Sequence, residues 1–209
     1  MAIMSAEMEQ LVEQAARRLV RTGAVAEPAR YAIREATPDD AHSVARIYND
    51  SVELTQHAIG VCDNAKRSHD RSRVHLMSVE STREWIAKHA MFGRQLWMAS
   101  SGTRAVGWLS FMGFADRPGM AYTSELAIYV AADARATGVG THLLTTALQF
   151  APRLGLDCLL AMVWSDNEAS HHLFRRHGFV PWGRMPGTVW AYGASRDMLV
   201  LGRRVAAQA

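Results

Sequence analysis

Thr123-Ser124-Glu125-Leu126-Ala127-Ile128-Tyr129-Val130, then Arg135-Ala136-Thr137-Gly138-Val139-Gly140 and Thr141-His142-Leu143-Leu144, is the stretch that decides the fold. The first segment is rich in β-branched and aromatic residues and predicts the end of a strand running over Ala121 to Val130. Leu143, Leu144, Ala147, Leu148 and Ala151 recur at helical spacing, so a helix follows Gly140. Two glycines just ahead of a helix let the backbone come close to a ligand. The free amides of the first helical turn, with the helix dipole, attract a phosphate or pyrophosphate. A plain tight turn explains a lone Gly-x-Gly equally well. Neither the Gly-Lys-Ser/Thr of a Walker motif nor the six-residue dinucleotide fingerprint is present.

Upstream, Gln95 to Ser100 and Arg104 to Phe114 flank a Ser101-Gly102 turn and read as a hairpin. Tyr31 to Arg34 is a short strand. Thr37 caps a helix, Pro38 suits its first turn and Asp40 closes a capping box. Ala41, Val44, Ala45, Ile47, Tyr48 and Val52 then form its apolar face. Ser81 and Glu84 make a second capping box leading Trp85 and Ile86 into another helix. Downstream, Cys158 to Trp164 is a strand and Asn167 to His177 a helix, with Leu173 and Phe174 facing inward and Gly178 as its stop. Phe179 to Arg184 and Met198 to Val205 are late strands. The order predicts an α+β domain over residues 31–209, a mixed and mostly antiparallel central sheet flanked by helices.

Residues 1–30 read as an extension: Met4, Met8, Leu11, Val12, Ala15 and Leu19 share one face of a helix over 4–21, and Gly23 and Pro28 make a linker. The polar stretch 56–78 holds His57, Cys62, Asp63, His69 and His75, but at no tight ligand spacing. It reads as a solvated loop near the site, and no metal is expected.

Apolar residues make up 49% and charged residues 21%, the balance of an ordinary globular domain. The net charge of +3 is small, and the clusters Lys66-Arg67 and Arg71-Ser72-Arg73 carry no interleaved aromatic, so no nucleic-acid partner is expected. Cys62 and Cys158 fit a reducing compartment rather than a disulfide framework. No apolar run reaches the ~18 residues of a membrane span. Glu7, Glu9 and Glu13 stand where a signal peptide wants positive charge. A cytoplasmic protein without membrane contact is the expectation.

Arg135-x-x-Gly138-x-Gly140 after Ile128-Tyr129-Val130 resembles the pyrophosphate-binding turn of GNAT acetyltransferases. Asn167, Ser170, Leu173, Phe174 and Gly178-Phe179 resemble the Asn-x-x-Ala-x-x-Leu-Tyr-x-x-x-Gly-Phe helix of that superfamily, in the right order along the chain. Ile33-Arg34-x-Ala36-Thr37-x-x-Asp40, Ile47 to Val52 and Thr123 to Val130 are similar to its phosphinothricin and methionine sulfone acetyltransferase branch. The likeness covers about residues 31–205.

The resemblance implies an N-acetyltransferase moving acetyl from acetyl-CoA to the amine of a small amino-acid-like acceptor. It implies that amides around Gly138, Val139, Gly140 and Thr141, with Arg135, hold the CoA pyrophosphate. Ile128, Tyr129 and Val130 would lie along the pantetheine, with the Val130 amide stabilising the oxyanion. Asn167 would contact the pantetheine or order a water, and Phe174 would border the cofactor. Glu125 would be the general base; strand alternation puts it on the face of Ala127 and Tyr129 unless the strand bulges. Arg117 would meet an acceptor carboxylate. The branch is often homodimeric, so a homodimer is implied. Phe174 stands where a Tyr acid is usual, and Ser195 stands at a Trp position between Gly193 and Asp197. Those departures keep open a protein or peptide acetyltransferase, or an acyl-CoA-binding module without strong catalysis. Ala136 replaces a common Gly, an exchange expected to be tolerable if its φ is negative.

Overall fold

The computed structural model describes residues 31–55, 76–91, 95–114, 118–191 and 194–205. The helix expected over 4–21, the histidines of 56–75, Arg117 and Gly193 lie outside the described residues. The elements follow the expected order: β1 (Ala32–Glu35), α1 (Ala41–Thr55), α2 (Val79–Met91), β2 (Leu96–Ser101), β3 (Arg104–Gly113), β4 (Thr123–Val130), α3 (Val139–Phe150), β5 (Cys158–Trp164), α4 (Glu168–Arg176), β6 (Val180–Ala191) and β7 (Ala194–Arg204). They build one seven-stranded sheet in the order β1-β2-β3-β4-β5-β7-β6. Neighbours are antiparallel except β4 and β5, which run parallel.

Helices cover both faces. On one, Trp108 donates its indole N–H to the Val44 carbonyl of α1 at 3.2 Å and meets Trp85 of α2 edge-on at 5.8 Å. On the other, Trp97 packs against Phe111 and Phe150 at 5.1 and 5.2 Å. There α3 lies so close to β3 that a Cβ on Gly107 would meet Val139 Cγ1 at 2.9 Å. This buried tryptophan and leucine layer supplies the apolar burial that drives folding.

Three expectations are corrected. The capping group of α2 is Ser78, not Ser81. The helix begins at Val79, and the Ser78 Oγ accepts the Ser81 N–H at 3.1 Å. A serine three residues earlier reaches the free first-turn donors that Ser81, already inside the helix, cannot. The last hairpin is also much longer than read, because Pro186-Gly187 does not end β6. A register shift between Met185 and Val189 absorbs those residues as a bulge, with Gly187 at φ +61°.

The third concerns Ala136, which takes φ +58°. The chain leaves Arg135 extended and enters α3 through two left-handed steps, Ala136 and Gly138 (φ +97°). Thr137 between them is fastened twice: its Oγ1 donates to the Ala134 carbonyl at 2.7 Å and accepts the Tyr31 hydroxyl at 2.7 Å. The surroundings therefore impose a conformation that an L side chain disfavours. Ala136→Gly is expected to stabilise the fold by roughly 1 kcal/mol, read from urea unfolding. A less stable variant would mean that the turn does not hold this shape.

Candidate active site

The site forms where β4 and β5 part. Ala131 N–H donates to the Val106 carbonyl at 2.9 Å, so odd positions of β4 turn their backbone groups toward β3. On the other edge the Tyr122 carbonyl receives the Cys158 N–H at 3.3 Å, so even positions turn toward β5. Pairing with β5 covers only Thr123 to Glu125. Beyond that the strands diverge, and the backbone groups of Ile128 and Val130 face the gap with no strand beside them. Arg135 Nε approaches the Val130 carbonyl at 3.5 Å, which leaves the Val130 N–H as the donor aimed into the gap.

At the mouth of the gap, on the α3 face, stands the N-terminus of α3. Its first helical bond is His142 N–H to the Gly138 carbonyl, 2.9 Å. The amides of Val139, Gly140 and Thr141 therefore have no acceptor within the helix, and no side chain caps them. A Cβ on Gly140 would meet Leu173 Cδ2 at 3.2 Å and Val130 Cγ2 at 3.8 Å. Glycine thus lets the helix start abut both β4 and α4. Free amides at a helix start beside an unpaired strand edge fit a diphosphate joined to an extended amide-containing arm.

Glu125 lies opposite Met112 on β3 and level with Leu160 on β5, so its side chain stands on the α1/α2 face, with Tyr129. The register against β3 is unbroken from Ser124 to Val130, so β4 has no bulge; the gap comes from β5 turning away. Burial pushes the Glu125 carboxyl up from its ordinary value. Among the described residues no cation pairs with it. Tyr129 sits between Tyr48 and Trp108, with ring centroids 5.2 and 4.6 Å away.

The remaining residues fall around this centre. Arg135 reaches back to α1, donating from Nη2 to Ser51 Oγ at 3.3 Å, and so braces the turn. Asn167 caps α4: its Oδ1 accepts the Ser170 N–H at 3.1 Å, which leaves its Nδ2 for other partners. Phe174 is 4% exposed and meets Phe179 edge-on at 5.0 Å, so most of its ring belongs to the core. Ser195 Oγ donates to the Gly187 carbonyl at 3.1 Å, and the Asp197 carboxylate takes the Gly187 N–H at 2.8 Å and the Arg184 guanidinium. The residue at the missing Trp position and Asp197 two places on therefore hold the β6 bulge.

Sequence reasoning missed Tyr31, Thr137 and Leu173 as supports of the glycine turn. Only Leu173 carried a signal, its place on the apolar face of α4. The Tyr31–Thr137 bond spans 106 positions and no local pattern announces it. His142, in the first turn of α3, was also passed over; burial holds its imidazole below the ordinary value, so it adds no charge at neutral pH. No group of metal-binding side chains occurs among the described residues.

A parallel splay in an otherwise antiparallel sheet thus faces an uncapped, glycine-lined helix start. Residues 53–179 match the acetyltransferase (GNAT) family. The chain belongs to that family. It is 38% identical over 127 residues to YwnH of Bacillus subtilis, whose name assigns it provisionally as a phosphinothricin acetyltransferase, covering 60% of this chain and 77% of that one. It is 29% identical over 167 residues to the L-methionine sulfoximine/L-methionine sulfone acetyltransferase of Pseudomonas aeruginosa, covering 79% and 90%. Its fold is that of a Sinorhizobium meliloti phosphinothricin acetyltransferase solved with acetyl-CoA, with a TM-score of 0.72 at 22% identity over 85% and 89% of the two chains.

Proposed function

We propose that the protein is an acetyl-CoA-dependent N-acetyltransferase acting on the primary amine of a small amino-acid-like acceptor. The observation that carries this reading is the gap between β4 and β5. It presents Val130 N–H in the plane of the sheet, uncapped helix-start amides on the α3 face and one half-buried carboxylate on the α1/α2 face. Donor and acceptor then reach the gap from opposite faces. The named relatives act on acceptors of this size and kind.

The amides of Val139, Gly140 and Thr141 would hold the diphosphate of acetyl-CoA, and the edges of Ile128 and Val130 would pair with its pantetheine arm. The acceptor nitrogen attacks the thioester carbonyl carbon and a C–N bond forms. The carbonyl oxygen gains charge, and Val130 N–H stabilises it. The proton leaving nitrogen passes to Glu125, directly or through one water. The C–S bond then breaks and CoA leaves as thiolate, which a thiol of pKa near 8.5 permits without full protonation. Phe174 in place of a tyrosine is compatible with that exit. In this reading Arg135 acts on the donor by fixing the turn, Asn167 through its free Nδ2 and Phe174 by backing α4. Arg117 is assigned to the acceptor carboxylate.

The test is CoA-thiol release over a panel of amino acids, methionine sulfone, phosphinothricin, amines and short peptides. Saturable turnover with a small amino-acid-like amine is expected. Turnover only with peptides, or none with any amine, would overturn the reading.

The same proposal places the enzyme in the cytoplasm as a homodimer. Among the described residues no helix is long and apolar enough to cross a membrane. Light scattering at tens of micromolar is expected to give twice the chain mass, and the mass of a single chain would refute the dimer.

A further inference from the structure

We propose that the cavity at the open end of the β6–β7 hairpin is a second ligand site, one that takes a nucleoside phosphate. The cavity has a volume of about 620 Å³ and is lined by Arg176, His177, Trp182, Gly202, Arg203 and Arg204 among others. None of the residues that form the gap between β4 and β5 lines it.

Charge is the first argument. Arg34, Arg46, Arg83, Arg104, Arg184 and Arg196 each pair with an aspartate. Arg176, Arg203 and Arg204 pair with no carboxylate among the described residues, and no acid lines the cavity. Arg203 is fixed in place: its Nη1 donates to the His177 carbonyl and its guanidinium lies 3.6 Å from where a Cβ on Gly178 would be. Arg176 and Arg204 are exposed at the rim of the same cavity. Guanidiniums that line one cavity with no carboxylate among them suit an anion, and phosphate above all.

The indole is the second argument, and it is independent. Trp182 is the extra residue where the register of β6 slips between Pro181 and Gly183. The bulge aims its ring across Gly202, where a Cβ would lie 2.2 to 2.5 Å from three indole atoms. Only glycine leaves room for that seat. Trp182 nevertheless stays 47% exposed. An indole supported from behind and open in front is a stacking platform for a planar base. The sequence keeps these residues apart, and the fold gathers them.

The test is calorimetric titration of AMP into the full-length protein with the donor cleft saturated by CoA, at low salt. Saturable binding is expected. It should weaken about tenfold with Trp182→Ala, by loss of stacking, and at least as much with the double variant Arg176→Gln/Arg204→Gln. Adenosine and inorganic phosphate should each bind far more weakly than AMP, and the KM for acetyl-CoA should not change in either variant. Three results would overturn the proposal: no AMP binding, phosphate binding as tightly as AMP, or a raised acetyl-CoA KM in Trp182→Ala. The last would make the cavity the adenosine end of the donor site. Thiol release by the same variants tests the transferase reading separately.

Discussion

Glu125→Gln is expected to lower turnover by about 10² or more while leaving acetyl-CoA affinity within a few-fold. Only the neutral amine attacks, and near pH 7 most of an α-amine is protonated; a carboxylate that takes the proton as the C–N bond forms relieves that limit. Burial raises the Glu125 carboxyl, which moves it closer to the working pH and makes it a better match for its task. The sign of the pH dependence follows. Wild-type turnover rises with pH as Glu125 ionises through its raised pKa, and the variant lacks that limb. The deficit is largest between the pKa of Glu125 and that of the acceptor amine. Below this window the wild type loses its base as well; above it the free amine needs none.

The same carboxylate bears on stability in the opposite sense. A carboxyl whose folded pKa lies above its unfolded value stabilises the fold below the unfolded pKa, and that contribution is lost as pH rises through the folded value. Above the ordinary carboxylate range the half-buried carboxyl therefore comes at a net cost to the fold. Glu125→Gln should melt above the wild type at pH 7, and the gain should vanish near pH 4. An inactive variant that also melts early would instead mark Glu125 as a structural residue.

The second large effect concerns the donor. Acetyl-CoA at 100 times its Kd should stabilise the fold by about 2.7 kcal/mol, a rise in Tm of roughly 5–10 °C for a chain of this size. Gly140→Asp should abolish most of that rise. Its side chain meets Leu173 Cδ2 at the 3.2 Å contact and sets a negative charge among the amides of Val139 and Thr141. The variant will have a lower Tm of its own, so the ligand-induced shift is the quantity to compare. A full shift would show that the diphosphate binds elsewhere.

Much of this was legible in the sequence because it is local. The strand ending Ile128-Tyr129-Val130, the glycine turn and α3 are each written in neighbouring residues, and the order of the elements followed from periodicity alone. Glu125, the only acid on that strand, was singled out by the likeness to the GNAT branch. The tertiary supports were not legible. Ala136 at positive φ is imposed by Thr137 and Tyr31, and the Tyr31 contact is distant in sequence. The length of the last hairpin escaped because the bulge that carries β6 past Pro186-Gly187 is held by Ser195 and Asp197 of β7. The gap itself depends on where β5 leaves β4, a pairing between distant segments that no local motif announces.

The most direct test of the account is to follow backbone amide resonances while acetyl-CoA is added. The largest shifts should fall on Val130, Ile128 and the Val139 to Thr141 amides, which face the gap. Ala127 and Tyr129, whose amides are spent on β3, should move far less. Shifts spread evenly over β4, or concentrated away from the gap and the start of α3, would contradict the placement of the donor and the transferase mechanism built on it.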